Sequence, residues 1–346
     1  MVSISERQSK EINALRVILV FLVIFIHESK SEQYELLGTC VVNFARIAVP
    51  AFFIISGFFF FYKIDNFGYV EYSKKLKKRF FTLFIPYIFW NLWPCIMITG
   101  GNLFSIIFRG KSFDALVFYY SSLWNDGFFR IFWNINDGGY PSNWPLWYVR
   151  ELMVMSLLSP LIYILIKKVN IIYLSIIIFL YVFFKIPEIP GFFPNSIVFF
   201  SIGAYFAIKR KNIMCFVDNN KYVFFLVSLI FYVLSTFFLE GYMGFIVFQL
   251  FVLSMSVGSL KLFHNCSDRS LSFLSNISKS VFFIYAIHIT LNACVYKLLS
   301  NIPIMGDSSI FLYFMSPIIT MIAGTCIYFI LIKYIPDVMK VICGGR

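Results

Sequence analysis

Ten apolar runs, at 12–29, 40–62, 80–99, 145–166, 170–186, 192–209, 221–239, 243–260, 275–298 and 309–334, take up most of this chain. Runs of that kind approach the ~20 residues a helix needs to cross a bilayer, where every backbone N–H and C=O must be satisfied internally. The expected fold class is therefore all-α, a polytopic membrane protein with a bundle of about ten transmembrane helices. Of 346 residues, 60% are hydrophobic and only 13% charged, with a mean hydropathy of +0.81, which excludes a soluble core. The first run has no small-residue cleavage site and carries Arg16 and His27, so it is expected to stay as a span rather than be removed as a signal.

Positive charge sets the expected orientation. Twenty of the 29 Lys and Arg residues fall in segments that lie inside if the N-terminus is inside. Six (Lys30, Arg109, Lys111, Arg130, Lys185, Lys297) fall outside, and Arg16, Arg46 and Arg150 lie within runs. Both termini are thus expected in the cytoplasm. The same placement accounts for the net charge of +12, so nucleic acid is not implied. Seven cysteines without CxxC spacing read as mostly reduced packing residues, with Cys40 and Cys95, both near the outer face, the pair open to a disulfide. Inspection shows no internal repeat of the transporter kind.

An ionisable side chain inside a span is costly unless it faces protein or water, so two on one run point to a site. Arg16 and His27 are eleven residues apart, which on an α-helix returns them to within about 20° of one face and separates them by roughly 16 Å along the axis. One lumen can therefore see both. The bland alternative is that His27 only snorkels at the end of its span. Pro50 is expected to kink the second run, while Ser56 and Gly57 allow close helix contact. The outer loop, 100–143, interleaves Tyr119, Tyr120, Trp124, Trp133 and Tyr140 with polar residues; it reads as an interfacial aromatic belt or as a sugar-stacking platform. The basic inner loop leading to Lys77–Tyr87 reads as topology with anionic lipid contact, or as capture of an anionic cofactor.

The Arg16-x10-His27 spacing, VPAFFIISGFFF (Val49–Phe60), KKRFFTLFIPY (Lys77–Tyr87), PLWYVRELMVMSLLSPL (Pro145–Leu161) and IYAIHITL (Ile284–Leu291) occur in that order. This series resembles acyltransferase family 3, the integral membrane O-acyltransferases, over nearly the whole chain. Some members carry an appended extracytoplasmic esterase-like domain; here a single membrane domain over 1–346 with no appended soluble domain is expected. The resemblance implies transfer of an acyl group, most often acetyl, from cytoplasmic acetyl-CoA to a hydroxyl of a surface glycan or lipid-linked sugar such as O-antigen or capsule. It also implies residence in the bacterial cytoplasmic (inner) membrane. Acetyl-CoA would be the donor substrate, with no tightly bound cofactor.

Within that frame Arg16, Lys78 and Arg79 are candidates to hold the CoA phosphates, since guanidinium groups match phosphate oxygens in a bidentate way. The pantetheine arm is of comparable length to the Arg16–His27 separation. His27 suits a general base or a nucleophile that is itself acylated; both stay open. Glu151 or Glu28 can orient its ring, and Arg150 or Arg46 can stabilise an oxyanion. A buried pair such as Arg46 with Glu151 that only fixes packing is the structural alternative. His288 is a further catalytic candidate, and Arg46, Glu28 and Trp147 are candidates for binding the acceptor. The sequence has no HExxH, no metal-ligand pairs, no P-loop and no GxSxG, so metal, nucleotide-hydrolysis and serine-triad chemistries lack support. A glycan-precursor exporter or flippase is the alternative of a different class.

Overall fold

The computed structural model describes residues 4–28, 35–134, 138–238, 241–302 and 310–345, and all regular structure among them is helical. In chain order the helices are α1 (Glu6–Ile26), α2 (Glu35–Ala45), α3 (Ala48–Phe61), α4 (Tyr69–Arg79), α5 (Ile85–Arg109), α6 (Asp114–Asp126), α7 (Trp147–Lys168), α8 (Ile171–Phe183) and α9 (Pro194–Ile208). They continue as α10 (Ile213–Asn219), α11 (Lys221–Phe237), α12 (Gly241–Gly258), α13 (Asp268–Ile277), α14 (Val281–Ser300), α15 (Ile310–Tyr334) and α16 (Pro336–Ile342).

Each of the ten expected runs is largely helical, but fewer qualify as spans on their own. Among the described residues six stretches are long and apolar enough to cross a membrane: Glu35–Phe61, Tyr69–Arg109, Trp144–Lys168, Gly241–Lys261, Asp268–Ser300 and Ile310–Tyr334. The pair α10 and α11, bent by 75°, makes a seventh if counted as one. The shortfall has local causes. α8 and α9 have only 13 and 15 residues, and α1, at 21 residues, carries Lys10, Glu11 and Arg16 along its length.

α1 is the hub, packing against α2, α3, α13, α14 and α15. Its start is fixed by a capping box in which Ser5 Oγ accepts from the Gln8 N–H and Gln8 reaches back to the Ser5 N–H. Of the charged residues in its first turns Glu11 is buried, 1% exposed, where it meets Lys261 at 3.3 Å and, one turn back on α1, Arg7 at 3.5 Å; Arg7 in turn reaches Asp268 at 2.7 Å. The second run breaks where Pro50 dictates. Proline has no N–H for the carbonyl four residues back, and the helix is interrupted there, at Arg46–Ile47, so that α2 and α3 meet within the one apolar stretch Glu35–Phe61 and Pro50 lies in the first turn of α3. α3 then crosses α9 at backbone contact: a Cβ on Gly57 would lie 2.1 Å from the Phe200 carbonyl oxygen, and one on Gly203 2.0 Å from that of Ile54. Much of the expected outer loop is helical, since α5 runs on to Arg109 and α6 follows it. The seven cysteines form no disulfide, Cys40 and Cys95 included.

Candidate active site

Where α1 ends, His27 caps the helix and its side chain lines a cavity of about 620 Å³. The wall is mostly aromatic and polar. Tyr140, Trp144 and Trp147 come from the segment that opens α7, Tyr285 from α14, Gln249 from α12 and Asn195 from α9, with Arg46 and Glu188 the charged residues of the lining. Glu188 is on the loop between α8 and α9; partial burial pushes its carboxyl above the usual carboxylate range, and Arg46 pulls the other way.

Arg16 lines a second cavity, of about 150 Å³, with Ser56, Tyr148, Leu83 and Tyr285 among its walls. Tyr285 belongs to both cavities. Its hydroxyl donates to the Pro145 carbonyl, so the ring common to both cavities is held by a hydrogen bond; Tyr148, in the wall of the Arg16 cavity, is bonded to Ser56 at 3.0 Å. The guanidinium of Arg16 donates to Asn13 Oδ1 at 3.2 Å and sits 5.6 Å from the Phe59 ring centre. Arg16 and His27 thus line two separate cavities that share Tyr285, and not the single lumen expected from their spacing.

Beside His27 stands α14. The His27 and His288 ring centres are 5.3 Å apart, and His288 is fully buried. Glu28, next in sequence, is buried and turned to another partner: its carboxylate accepts from Asn292 Nδ2 at 2.7 Å. Asn292 Oδ1 in turn accepts from Ser316 and Thr320 of α15 at 2.9 and 2.8 Å. Expected at the acceptor, Glu28 is not part of the cavity lining; it ties the end of α1 to α14 and α15.

Arg150 and Glu151, expected next to the reacting groups, form a buried ion pair at 2.9 Å with each other. The packing pair anticipated between Arg46 and Glu151 is therefore made with Arg150 instead. Arg150 also donates to the Gly139 carbonyl and lies 4.8 Å from the Trp133 ring centre. Glu151 accepts from the N–H groups of Gly191 and Phe193 at 2.7 and 3.1 Å and from Ser196 Oγ at 3.2 Å. These bonds clamp the 138–145 segment and the start of α9, both of which supply cavity residues, onto α7. Neither side chain lines the His27 cavity.

Trp147 and Arg46 do line it. Lys78 is exposed on α4, and Arg79 sits over the Phe60 ring at 5.5 Å; neither lines the Arg16 cavity, although Leu83 from the turn that follows does. The aromatic outer segment divides its duties. Tyr140 faces the cavity, Trp133 stacks on Arg150, Tyr120 lines an apolar cavity between α5 and α6, and Trp124 is exposed. Sequence reasoning missed Glu188, Asn195, Gln249 and Tyr285 as lining residues, and Asn292 as a partner of Glu28. Only Tyr285, inside the IYAIHITL motif, had any signal.

Fold and site together define a multi-pass helical membrane protein with a cavity lined by His27 next to a smaller one lined by Arg16. Residues 9–333 match the model of the acyltransferase domain of family 3, and the chain belongs to that family. A curated relative, the succinoglycan biosynthesis protein ExoH of Rhizobium meliloti (strain 1021), is 26% identical over 226 residues, covering 59% of this chain and 55% of that protein. The chain thus spans about half the length of that relative. No solved structure gives a significant match.

Proposed function

We propose that the protein is a membrane O-acyltransferase that moves an acyl group, acetyl in the simplest case, from cytoplasmic acyl-CoA to a hydroxyl of a surface or lipid-linked glycan in a bacterial inner membrane. The observation that carries this reading is the pair of chambers meeting at Tyr285, one lined by Arg16 and the other by His27. Family membership supports acyl transfer, and similarity to a protein of succinoglycan biosynthesis supports a polysaccharide acceptor.

The donor enters from the side of Arg16, whose guanidinium takes a CoA phosphate, with Lys78 and Arg79 of the basic α4 as the outer part of the anion path. The pantetheine arm passes Tyr285, the residue common to both cavities, and brings the thioester to His27. The acceptor sugar lies in the larger chamber against Trp147, Trp144 and Tyr140, with Arg46 reaching its oxygens. His27 removes the proton as the sugar oxygen attacks the thioester carbonyl carbon. The tetrahedral intermediate collapses with loss of the C–S bond, and the thiolate leaves as CoA–SH after taking the proton back from His27. The ester stays on the glycan.

Mass spectrometry of surface glycan from matched strains tests the reading. His27→Ala is expected to remove the acyl mass increment while the glycan still reaches the surface. Acylation unchanged by His27→Ala contradicts the enzyme reading, and loss of the glycan itself favours an exporter.

A further inference from the structure

We infer that His288 is the positioning residue that fixes the tautomer of His27, and that Asn292 and Glu28 hold the two rings in register. The inference rests on the proposal that His27 is the base. His288 Nδ1 lies 2.7 Å from the Tyr285 carbonyl oxygen. A carbonyl only accepts, so Nδ1 must carry the hydrogen, and in the neutral ring Nε2 is then a pure acceptor. That Nε2 is buried and has no hydrogen-bond partner. A buried acceptor left unpaired is costly, and the nearest polar ring of the protein is the group placed to serve it.

The ring of His27 is in place to do so. The rings are tilted by 47° with centres 5.3 Å apart; each ring nitrogen is about 1.2 Å from its own centre, so rotation of the His27 ring allows facing nitrogens to approach to no less than about 2.9 Å, within reach of an N–H···N bond. His27 then spends its N–H on His288, and its other nitrogen presents a lone pair to the cavity, as a base must. In many enzymes a carboxylate orients the catalytic histidine. Here the neighbouring carboxylate, Glu28, is occupied one step away.

That occupation forms the second rung. Asn292 follows His288 by four residues on α14, hence on the same face, and Glu28 adjoins His27. The amide orientation of Asn292 is set by its partners: only Nδ2 can face a carboxylate, which leaves Oδ1 for Ser316 and Thr320. The end of α1 is thereby fastened to α14 at two adjacent levels, ring against ring and carboxylate against amide.

The chain has three histidines, so protein labelled with 15N-histidine gives three ring systems, and His264→Gln assigns the one near the α13 end. NMR of the resting full-length protein in detergent reads each tautomer without any turnover. His288 is expected protonated at Nδ1 and His27 in a single tautomer. In His288→Leu, His27 is expected to become a tautomer mixture and kcat to fall at least about tenfold, with KM for acyl-CoA and acceptor unchanged. His288→Gln, whose amide oxygen restores an acceptor, should recover a single tautomer and most of kcat. A tautomer mixture in the unmodified protein overturns the inference, as does a single tautomer of His27 in a folded His288→Leu. Equal damage to kcat by Gln and Leu does so as well. If these fail while His27→Ala still abolishes acylation, the acyltransferase reading stands without this role for His288.

Discussion

Arg150 and Glu151 show what burial does to a pair of charges. Removing one partner strands the other in a low-dielectric interior, at about 3–5 kcal/mol, while replacing both with apolar side chains is far milder. Glu151→Leu is therefore expected to lower the thermal unfolding midpoint in detergent well below that of the Arg150→Met/Glu151→Leu double variant. The double variant should still melt below the unmodified protein, because the N–H groups of Gly191 and Phe193 lose their acceptor. Arg16 is a different case, since it faces a chamber. Arg16→Lys keeps the charge but loses the planar fork, so KM for acyl-CoA should rise roughly tenfold with kcat little changed; an unchanged KM removes Arg16 from donor binding. Arg16 and His27 were legible in the sequence because each stands out in an apolar run. The partners of Glu11 and Glu28 were not, because Lys261 and Asn292 are some 250 residues away, and no local pattern encodes which distant helix supplies a counter-charge.

At the scale of the helix, the apolar runs predicted where helices form and said less about where they break. Pro50 marked the second run, yet whether a helix bends or restarts depends on what the freed turn does; here it leaves Arg46 in the cavity wall. The outer segment read as loop because its polar residues obscure the period of α6, which shares a cavity with α5. Glycine offers a matched test of helix contact. Gly203→Ala drives a Cβ into the Ile54 carbonyl, and overpacking of this kind costs about 1–3 kcal/mol. Gly100, within α5, has nothing within 4 Å of a built Cβ, so Gly100→Ala should stabilise by about 0.5–1 kcal/mol. Unfolding midpoints should move in opposite directions, and equal shifts would mean that the α3–α9 crossing is not tight.

For the whole molecule, the distribution of Lys and Arg argues that both termini face the cytoplasm. A green fluorescent protein fused after Arg346 is expected to fluoresce, and alkaline phosphatase fused after Lys111 to be active in the periplasm; the reverse pattern inverts the bundle and puts Arg16 on the wrong side. With that orientation the proposed function requires donor to reach Arg16 from the cytoplasm and acceptor to reach His27 from the other side. The most direct test is a transfer assay in sealed proteoliposomes of one orientation, with labelled acyl-CoA only on the Arg16 side and glycan acceptor only on the His27 side. The account predicts that label appears on the acceptor and that His27→Ala abolishes it. Transfer that occurs only when donor and acceptor share a compartment would contradict it.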